Sequence, residues 1–584
     1  MDAEGDPKEH CCSKTRCSVI VFAFLLVSVA VLCVVTFTGD VRKRVQYDTS
    51  DLQWWKTTPV YQIYPRSFKD TNGDGDGDLN GITEKLSYLS YLGIKAVWIS
   101  PFYKSPMKDS GYDISNYTEV DPRFGTMDDF DRLLEEAKKK DIKVIIDFVP
   151  NHTSNESEWF VDSENREEGY DDFYVWVNGT SGTPPNNWKN TIGNSAWTWS
   201  DKRQQYYYHN YLIEQPDLNY RNPNVISVIQ DVMRFWLDKG VAGFRIDAVV
   251  HLFESENLHD QVEEDGKTIQ NETVNLPEIF PVIQGWKKLL DTYSDPPRVM
   301  FSETTSVDKD IVKKYYDAGT IPFNFDLVKK VNRTCDGSCM RDVIKEYTKE
   351  TLRSDDWPNF LTGSHDFSRV ATRLGENRAR AMAMLLLTLP GTPVIYYGEE
   401  IGMTDVHYTF NESRDTFGLR LGKDGYLSKT RDPERSPMQW TSGVKAGFTN
   451  QSVTPWLHLS SEYATVNVQV LKANASGILQ LYKNLIETRR HPSFETNTLE
   501  FAVVTSDILS YVRNAEGWQT HLVVINLGSK SVTHDFSSGP VFSTKGKVAI
   551  TTDDSIQVGQ DVDLSSVSVG SNQGIVVAVT YQEH

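Results

Sequence analysis

Four short apolar runs in this chain end in acidic residues whose side chains could share one pocket. The runs are VIIDFVPNH (144–152), GFRIDAV (243–249), VMFSET (299–304) and NFLTGSHD (359–366). In a barrel of parallel strands, the C-terminal ends of the strands meet at one face, where catalytic side chains collect. This arrangement would gather three acids, one arginine and two histidines: Asp247, Glu303, Asp366, Arg245, His152 and His365.

Such a set of side chains could cleave an α-glycosidic bond with retention of configuration. One carboxylate attacks the anomeric carbon while a second carboxyl group protonates the leaving oxygen. Asp247 lies two residues after Arg245, whose guanidinium would keep it ionised, as a nucleophile requires. Glu303 ends the next strand and could supply the proton. Asp366 could hold sugar hydroxyls in the transition state, and the two histidines could donate to hydroxyls near the bond.

Two other interpretations of these residues compete with the glycosidase hypothesis. A single acid at a strand end is more often the cap of a helix N-terminus, but three acids with an arginine and two histidines argue against that interpretation. The tripeptide Ser364-His365-Asp366 contains the residue types of a serine hydrolase. Consecutive residues do not form the line of nucleophile, base and orienting acid, and the G-x-S-x-G elbow is missing.

The elements that must position these side chains alternate regularly along the chain. Short apolar runs are separated by amphipathic stretches such as 127–141 and 225–240, which predict helices. Eight strand–helix alternations indicate an α/β fold, the (β/α)8 barrel. The eight predicted strands lie at 60–65, 94–100, 142–149, 241–249, 298–304, 320–327, 357–366 and 392–400.

The rest of the chain divides around this barrel. We assign 54–151 and 225–494 to the barrel and 152–224 to an inserted subdomain over its mouth. The stretch from Gly402 to about Thr454 has little helical period and would add another wall. From 495 to 584, apolar and polar residues alternate between Gly, Asn and Ser turns, which predicts a C-terminal antiparallel β-sandwich.

The N-terminus carries an uncharged apolar run, Ser18–Thr38, long enough for a membrane span. A cleaved signal peptide is the alternative, but the run is long and no A-x-A site precedes the globular part. We expect a cytoplasmic tail (1–17), a transmembrane helix (18–38), a juxtamembrane linker (39–53) and an extracellular body, in a single-pass type II protein of the cell membrane. Seven N-x-S/T sequons support an extracellular body: Asn155, Asn178, Asn271, Asn332, Asn411, Asn450 and Asn474. Asn116 and Asn151 also match, but lie in segments expected at the active site.

Cysteine usage and net charge further restrict the class of protein and the partners that it can bind. Cys335 and Cys339 are the only cysteines of the large body, and their close spacing outside the cell suggests a disulfide. The formal net charge of −20 argues against a nucleic acid partner.

The segment DTNGDGDGDLNG (70–81) has the composition of a loop that binds a hard cation. Asp70, Asn72, Asp74 and Asp78 could supply side-chain oxygens and Asp76 a backbone carbonyl. Gly81 stands where an EF-hand needs its Glu, so we expect a structural Ca²⁺ in another geometry. A polar glycine-rich turn is the alternative.

From about Trp54 to the C-terminus, the chain resembles the α-amylase superfamily of glycoside hydrolases (family 13), in its oligo-1,6-glucosidase and maltase branch. The motifs DFVPNH, QPDLN (215–219), GFRIDAV, FSET and GSHD occur in that family's order. The resemblance implies Asp247 as nucleophile, Glu303 as acid/base and Asp366 as transition-state stabiliser. It also implies a pocket for the non-reducing glucose, lined by Asp109, Tyr112, His152, Arg245, His365 and Arg431.

Further features of the resemblance concern specificity. Asp109 and Arg431 would close the far end of the pocket and make the enzyme exo-acting. Ala248 after the nucleophile resembles enzymes that favour α-1,4 links, whereas Val accompanies α-1,6 preference. Ser364 departs from the family, which commonly has Asn there. The loop 70–81 also resembles the branch's calcium loop. The implied substrates are maltose, sucrose or short α-glucosidic oligosaccharides.

A different class of protein shares this fold. Type II membrane glycoproteins of the rBAT type escort an amino-acid transporter light chain, and YQIYPRSFKD, PPNNW and LPGTPVIYYGEEIGM resemble them closely. Those subunits are linked to the light chain by a cysteine just outside the membrane. Residues 39–54 contain no cysteine here and the catalytic trio is complete, which favours the enzyme. Non-covalent pairing with a light chain, and a homo-oligomer, both stay open.

Overall fold

A computed structural model of the chain describes residues 47–50, 52–264, 267–304, 308–450 and 452–581. The predicted tail (1–17), the predicted span (18–38) and most of the predicted linker (39–53) lie outside these residues. Within the described part of the chain, no helix combines the length and apolar character needed to cross a bilayer.

Eight parallel strands form the central barrel, which confirms the predicted α/β class. Their bounds are β1 Val60–Ile63, β2 Ala96–Ile99, β3 Lys143–Phe148, β4 Gly243–Ile246, β5 Val299–Ser302, β6 Ile321–Pro322, β7 Asn359–Leu361 and β8 Thr392–Tyr396. In the sheet they lie in the order β6-β5-β4-β3-β2-β1-β8-β7, and every neighbouring pair in it is parallel.

The barrel is closed between β6 and β7 by one side chain. The two strands are not paired in the sheet, and β6 is short, since Pro322 has no N–H to donate. The buried amide of Asn359 spans the gap: its Nδ2 donates to the carbonyl of Pro322 (2.6 Å), and its Oδ1 accepts from the backbone N–H of Asn324 (2.9 Å).

A helix follows each strand and packs outside the barrel. Helix α2 begins with a capping box between Thr126 and Asp129, and α3 has Asn222 as its cap and Pro223 at its first position. The helices are α1 Leu79–Leu92, α2 Met127–Lys139, α3 Pro223–Lys239, α4 Ile279–Leu290, α5 Lys309–Asp317, α6 Gly337–Lys345, α7 Glu376–Thr388 and α8 Ile478–Thr488.

Two long connections rise above the mouth of the barrel. The segment between β3 and α3 contains a helix, Glu158–Asn165, and a three-stranded antiparallel sheet formed by Trp176–Val177, Gln205–Tyr208 and Trp197–Ser200. An aromatic cluster that includes Trp188 and Trp197 forms its core. The described residues between β8 and α8 form only short helical turns, among them Thr416–Leu419 and Gly422–Gly425. Both segments therefore form walls at the barrel mouth, as the sequence predicts.

The C-terminal part is an antiparallel sheet of six strands. These are Glu500–Val504, Ile508–Arg513, His521–Asn526, Gly574–Thr580, Lys545–Thr551 and Asp561–Asp563, in spatial order. One face, which includes Leu509 and Val523, belongs to the same core as the barrel helices. The other face, which includes Leu522 and Val524, packs beneath a two-stranded pair, Val532–His534 and Val567–Val569. The second layer of the predicted β-sandwich is therefore reduced to this two-stranded pair.

Candidate active site

The predicted catalytic acids all lie at the C-terminal ends of barrel strands. Asp247 directly follows β4 and Glu303 directly follows β5, so the pairing of these strands makes them neighbours on the rim. Asp366 lies in the loop after β7. Ala248, next to Asp247, is in the left-handed region (φ 51°) and its N–H points to the Glu303 carboxylate at 3.4 Å.

Arg245 holds these acids together from inside β4. Its guanidinium is 2% exposed and lies 5.1 Å from the centre of the Trp98 ring. Nη1 donates to Asp147 (3.0 Å) and to Asp247, and Nη2 lies 2.9 Å from the Glu303 carboxylate. The carboxyl groups of Asp247 and Glu303 therefore share one cation.

The protonation of the acids follows from this crowding. Burial raises the pKa of Asp247 well above its ordinary value; the Arg245 charge opposes the rise, and the carboxylates of Glu303 and Asp147 add to it. Burial likewise raises the pKa of Asp147 to about 6 against the pull of Arg245. The acid cluster thus retains a proton at a higher pH than exposed carboxyls would.

Asp366 has the opposite environment. Burial would raise its pKa, but His365 and the guanidinium groups of Arg435 and Arg431 lower the pKa below its ordinary range. Arg435 donates to its carboxylate at 2.9 Å, and Arg431 lies 3.6 Å away. Burial also lowers the pKa of His365 well below its usual value, so that ring is neutral at pH 7 and the arginines supply the charge. Asp366 is therefore a fixed anion.

A cavity of about 210 Å³ lies over these acids. This volume is small for a ligand pocket and suits one sugar ring better than an extended chain. Its floor includes Tyr112, which stacks on His365 with ring centres 5.4 Å apart and donates to Asp147 at 2.9 Å. The lining residues are Asp109, Tyr112, His152, Thr191, Tyr211, Asp247, Glu303, His365, Asp366, Phe367, Phe417, Lys429 and Arg431.

The far end of the cavity is closed by an ion pair. Arg431 donates to Asp109 and to Asp415, both at 2.6 Å, and its guanidinium lies 4.4 Å from the Phe417 ring centre. The other oxygen of Asp109 accepts from Gln215 at 3.0 Å. Asp109 thereby connects the wall after β3 to the wall after β8.

His152 is a neutral hydrogen-bonding group at this end. Burial lowers its pKa to about 3. Its Nδ1 lies 2.8 Å from the Asn151 side-chain oxygen, and its Nε2 lies 3.0 Å from the Gln215 side-chain nitrogen and 3.1 Å from the Tyr112 carbonyl oxygen. The amide nitrogen of Asn151 is buried and donates to Asp217 and to the His251 carbonyl, which fits the expectation that this sequon is bare.

The structure thus brings together every predicted catalytic and pocket residue, with Arg245 beneath the cavity rather than on its surface. It adds Asp147, Arg435 and Gln215, which the sequence reasoning did not select. Asp147 and Gln215 lie in two of the recognised motifs, DFVPNH and QPDLN, and Arg435 lies four residues after the predicted pocket residue Arg431. These positions in the sequence were the available signal. Ser364, the departure from the family, accepts from the Asp366 backbone N–H at 3.2 Å and so supports the loop.

The loop 70–81 folds on its own hydrogen bonds. The buried carboxylate of Asp70 accepts from Gly73 and Gly75, and that of Asp78 accepts from Thr71 and caps α1. Asp76 pairs with Arg66 at 2.6 Å, and Asn72 bonds to Asp74. In the described ranges, no three acidic, histidine or cysteine side chains gather where a cation could be held. The calcium site stays a prediction.

The structure pairs the two predicted disulfide cysteines and exposes most of the predicted glycosylation sites. The sulfurs of Cys335 and Cys339 are bonded to each other, with the Cα atoms 5.3 Å apart. Asn155 is half-buried, and the other six asparagines are exposed: Asn178, Asn271, Asn332, Asn411, Asn450 and Asn474. Folding leaves these six accessible to a glycosylating enzyme.

A parallel barrel with a pair of rim carboxyls, a third anionic acid and a small pocket closed at its far end defines a glycoside hydrolase architecture. Comparison with known proteins identifies the particular family within this class. Residues 62–497 match the family described as alpha amylase, catalytic domain. The chain belongs to this α-amylase family, glycoside hydrolase family 13, in its maltase and α-glucosidase branch.

Individual relatives cover almost the whole chain. Maltase A1 of Drosophila melanogaster is 40% identical over 554 residues, which are 89% of this chain and 95% of the relative. The amino acid transporter heavy chain SLC3A1 of Rattus norvegicus is 38% identical over 555 residues, or 90% of this chain and 78% of the relative. A mutant isomaltulose synthase of Erwinia rhapontici NX5, solved with D-glucose, superimposes with a TM-score of 0.83 at 33% identity, covering 91% of this chain and 100% of that one.

Proposed function

We propose that the protein is a retaining, exo-acting α-glucosidase that removes terminal non-reducing α-1,4-linked glucose from maltose, sucrose or short oligosaccharides. The observation that carries the proposal is the Asp247–Glu303 pair on one arginine, at the base of a pocket with a closed far end. The relatives named maltase support the substrate class.

The binding of both carboxyls to one guanidinium holds them near each other and supports the stereochemistry. Inverting enzymes need room for a water between their acids, about 6.5–9.5 Å, whereas retaining pairs lie closer together. The Asp247 carboxylate attacks the anomeric carbon, and Glu303 transfers its proton to the leaving glycosidic oxygen. The covalent glucosyl ester on Asp247 is then hydrolysed by a water that Glu303 deprotonates. Asp366, held anionic by two arginines, stabilises the positive charge that develops on the sugar ring.

Glucose release from maltose and sucrose by the full-length chain in detergent tests this proposal. We expect turnover, with α-glucose as the first product seen by proton NMR, because two displacements retain configuration. Asp247→Asn and Glu303→Gln should reduce turnover to background, and Asp131→Asn, at an exposed salt bridge with Lys239, should leave it unchanged. A folded full-length chain without turnover, or a β-glucose first product, would contradict the proposal.

We further propose that the apolar run Ser18–Thr38 anchors the protein as a single-pass type II membrane protein with its body outside the cell. The length of the run and the exposed sequons support this topology. Resistance of membrane-bound protein to alkaline carbonate extraction, together with protease access to the body in intact cells, is the expected result. Extraction with the soluble fraction would contradict it.

A second candidate function is that of a heavy chain for an amino-acid transporter, with or without glucosidase activity. Similarity to the rat heavy chain over 90% of this chain favours it. Purification of the full-length chain from its native membrane in mild detergent should then co-purify a polytopic protein in stoichiometric amount. If the chain purifies alone while its glucosidase activity persists, the enzyme function stands by itself.

We also propose that the loop 70–81 binds a structural Ca²⁺, on the strength of its oxygen-rich composition. Calcium should raise the melting temperature of protein treated with a chelator, because a ligand that binds only the folded state stabilises it. Asp74→Asn should reduce this shift, and Asp128→Asn, an exposed acid in the first turn of α2, should not. An equal melting temperature with and without calcium would contradict the site.

A further inference from the structure

The chain reaches the body from its N-terminus through a clamp on the C-terminal sheet. The N–H of Tyr47 donates to the carbonyl of Glu516 at 2.8 Å, and Nε1 of Trp518 donates to the carbonyl of Tyr47 at 2.8 Å. These two bonds fix one residue from both sides, in a turn between two strands of the sheet. The position of Tyr47 on the body is therefore set by the fold.

From the clamp the chain runs beneath the barrel. Trp54 and Trp55 pack against the core inside the barrel, Trp54 Nε1 donates to the Pro297 carbonyl at 2.8 Å, and the Trp55 carbonyl accepts from Thr392 at 2.6 Å. Pro297 precedes β5 and Thr392 begins β8. The incoming chain thus closes the N-terminal end of the barrel, opposite the catalytic mouth.

The surface around this chain carries exposed aromatic and basic side chains. Trp518 and Tyr581 are 38% and 49% exposed and border a depression of about 620 Å³ beside Tyr47. Lys95, Lys143 and Arg490 border a second depression of about 290 Å³. The two depressions meet at consecutive residues, Glu495 and Thr496. We call this the basal surface: Tyr47, Lys95, Lys143, Arg490, Trp518 and Tyr581.

Basic and acidic side chains balance around the two depressions: Lys95, Lys143 and Arg490 lie among Asp141, Glu495 and Glu516. Asp141 pairs with both lysines, at 3.2 and 2.9 Å. Arg490 donates to the Gly93 carbonyl at 3.2 Å and makes no ion pair within the described part of the chain. An unpaired guanidinium therefore lies on the same surface as the half-exposed rings of Trp518 and Tyr581. Trp, Tyr and Arg are residue types that membrane interfaces favour.

Chain length restricts where this surface can be. Eight residues, 39–46, separate the apolar run from Tyr47, and even fully extended they reach only about 30 Å. A body of about 535 residues has a radius of gyration near 24 Å and so a diameter of roughly 60 Å. If the run spans the membrane, the clamp lies within half a body diameter of the bilayer.

We propose that the basal surface rests on the lipid headgroups and that the glucosidase pocket opens away from the membrane. The inference rests on the proposed anchor and not on the glucosidase activity. The aromatic rings lie at the headgroup level, and Arg490 binds lipid phosphates. The pocket is then freely accessible to sugars in bulk solution.

Energy transfer in lipid nanodiscs tests the orientation with the full-length chain. In a background with Ser at Cys11, Cys12, Cys17 and Cys33, a donor fluorophore is placed either at Glu516→Cys, beside the clamp, or at Asp424→Cys. Asp424 is exposed in the wall between β8 and α8, near the pocket. The acceptor is a headgroup-labelled lipid in phosphatidylcholine discs. We expect transfer from position 516 to be at least threefold more efficient than from position 424.

Two variants test the contacts themselves. Trp518→Phe removes the bond to Tyr47 but keeps a ring, and should lower the ratio between the two positions. Trp199→Phe, which removes an exposed indole bond to Asp201, should leave the ratio unchanged. Arg490→Glu should also lower the transfer from position 516, while Lys423→Glu, beside Asp424, should not.

The outcomes separate this inference from the proposals on which it rests. Equal transfer from both positions, or more from 424, in protein that co-elutes with the discs overturns the basal surface and leaves the anchor standing. Protein that does not co-elute with the discs overturns both. Glucose release from the same samples reports the enzyme function independently of either result.

Discussion

Arg245 is the residue on which the charges of the pocket depend. It is buried with three carboxylates around it, and no more than one of them can attack the substrate. Asp147 is the deepest of the three carboxylates and does not line the cavity. It also accepts a hydrogen bond from the Tyr112 hydroxyl. Its negative charge raises the pKa of Asp247. Asp147 is therefore a positioning residue that tunes the proposed nucleophile.

Replacing Asp147 should change both the rate and its pH dependence. In Asp147→Asn, Arg245 loses one ionic partner and shifts its charge toward Asp247 and Glu303, so kcat/KM at pH 7 should fall on the order of a hundredfold, about 2.7 kcal/mol. With one negative charge fewer, the pKa of Asp247 falls, and the acid limb of the pH profile should move to lower pH. Kinetics on maltose between pH 4 and 8 measure both effects.

Asp141→Asn is the control for that experiment. Asp141 lies two residues before β3, at the opposite end of the strand from Asp147, and its side chain is 69% exposed. It should match the wild type in rate and profile. A variant at Asp147 with a lower rate but an unmoved acid limb would show that its charge does not act on the nucleophile.

A second buried acid pair lies beside the pocket and should make stability depend on pH. Burial raises the pKa of Asp217 to about 8 and, together with the Asp217 charge, raises that of Glu254 well above its usual range. A raised folded-state pKa means that the folded protein holds protons that the unfolded chain releases. Stability is therefore complete below about pH 4 and decreases as pH rises toward 8, by at most about 1.4 kcal/mol per unit and group.

Glu254→Gln should flatten this dependence, because the variant removes one titrating group and the repulsion on the other. We expect its melting temperature to fall less than that of the wild type between pH 5 and 9. Glu256→Gln is the control, since that side chain is 75% exposed. Parallel curves for the wild type and Glu254→Gln would show that the pair is not protonated in the folded state.

At the scale of elements, the two walls of the pocket are joined by one ion pair. Arg420, after the turn Thr416–Leu419, donates to both oxygens of Glu214 at 2.6 Å. Among the described residues no other salt bridge links 152–224 to 402–454. Glu214 precedes Gln215, which bonds to Asp109 and His152, and Phe417 lines the cavity. The bridge therefore fixes two segments that shape the pocket.

Breaking this bridge should loosen the pocket more than it alters the chemistry. In Arg420→Glu, two like charges repel, and KM for maltose should rise about tenfold, near 1.4 kcal/mol, with a smaller change in kcat. The double variant Glu214→Arg with Arg420→Glu should restore most of the loss. Arg234→Glu, at an exposed pair on α3, is the control. No recovery in the double variant would contradict a direct role of the pair.

The elements could be predicted because their signals are local. Each barrel strand is an apolar run that is buried on both faces, and each helix has one apolar stripe, so the alternation along the chain identified all eight units. The acids at the strand ends could be grouped because parallel strands end at one face. Asp247 and Glu303 lie on neighbouring strands for that reason alone.

What could not be predicted depends on contacts between distant segments. Asn359 closes the barrel through atoms on β6, and no local pattern distinguishes it from any other buried asparagine. Arg435 reaches Asp366 across 69 residues of sequence, and Asp147 acts through Arg245 nearly 100 residues away. Alternation in the C-terminal strands predicted a sheet, but it did not reveal that one face would be buried by the barrel.

At the scale of the whole molecule, the barrel and the C-terminal sheet share a core. Leu509, Tyr511 and Val523 belong to the same cluster as residues of α7 and α8. Buried arginines reinforce this junction: Arg513 donates to the carbonyls of Phe494 and Thr496, and Arg489 to those of Leu387 and Leu389. The Arg489 bonds satisfy carbonyls around the end of α7 that would otherwise be buried without partners.

This shared core predicts that the body unfolds as one unit, although chains of this size commonly unfold in steps. Leu509→Ala, on the face toward the barrel, and Leu522→Ala, on the opposite face, each remove a fully buried side chain. Each should cost about 2–5 kcal/mol and lower the melting temperature while calorimetry still shows one transition. Loss of glucose release on heating should coincide with that transition in both variants. A separate transition of the C-terminal sheet in Leu522→Ala, with activity retained above it, would show that the sheet folds independently and that the pocket does not depend on it.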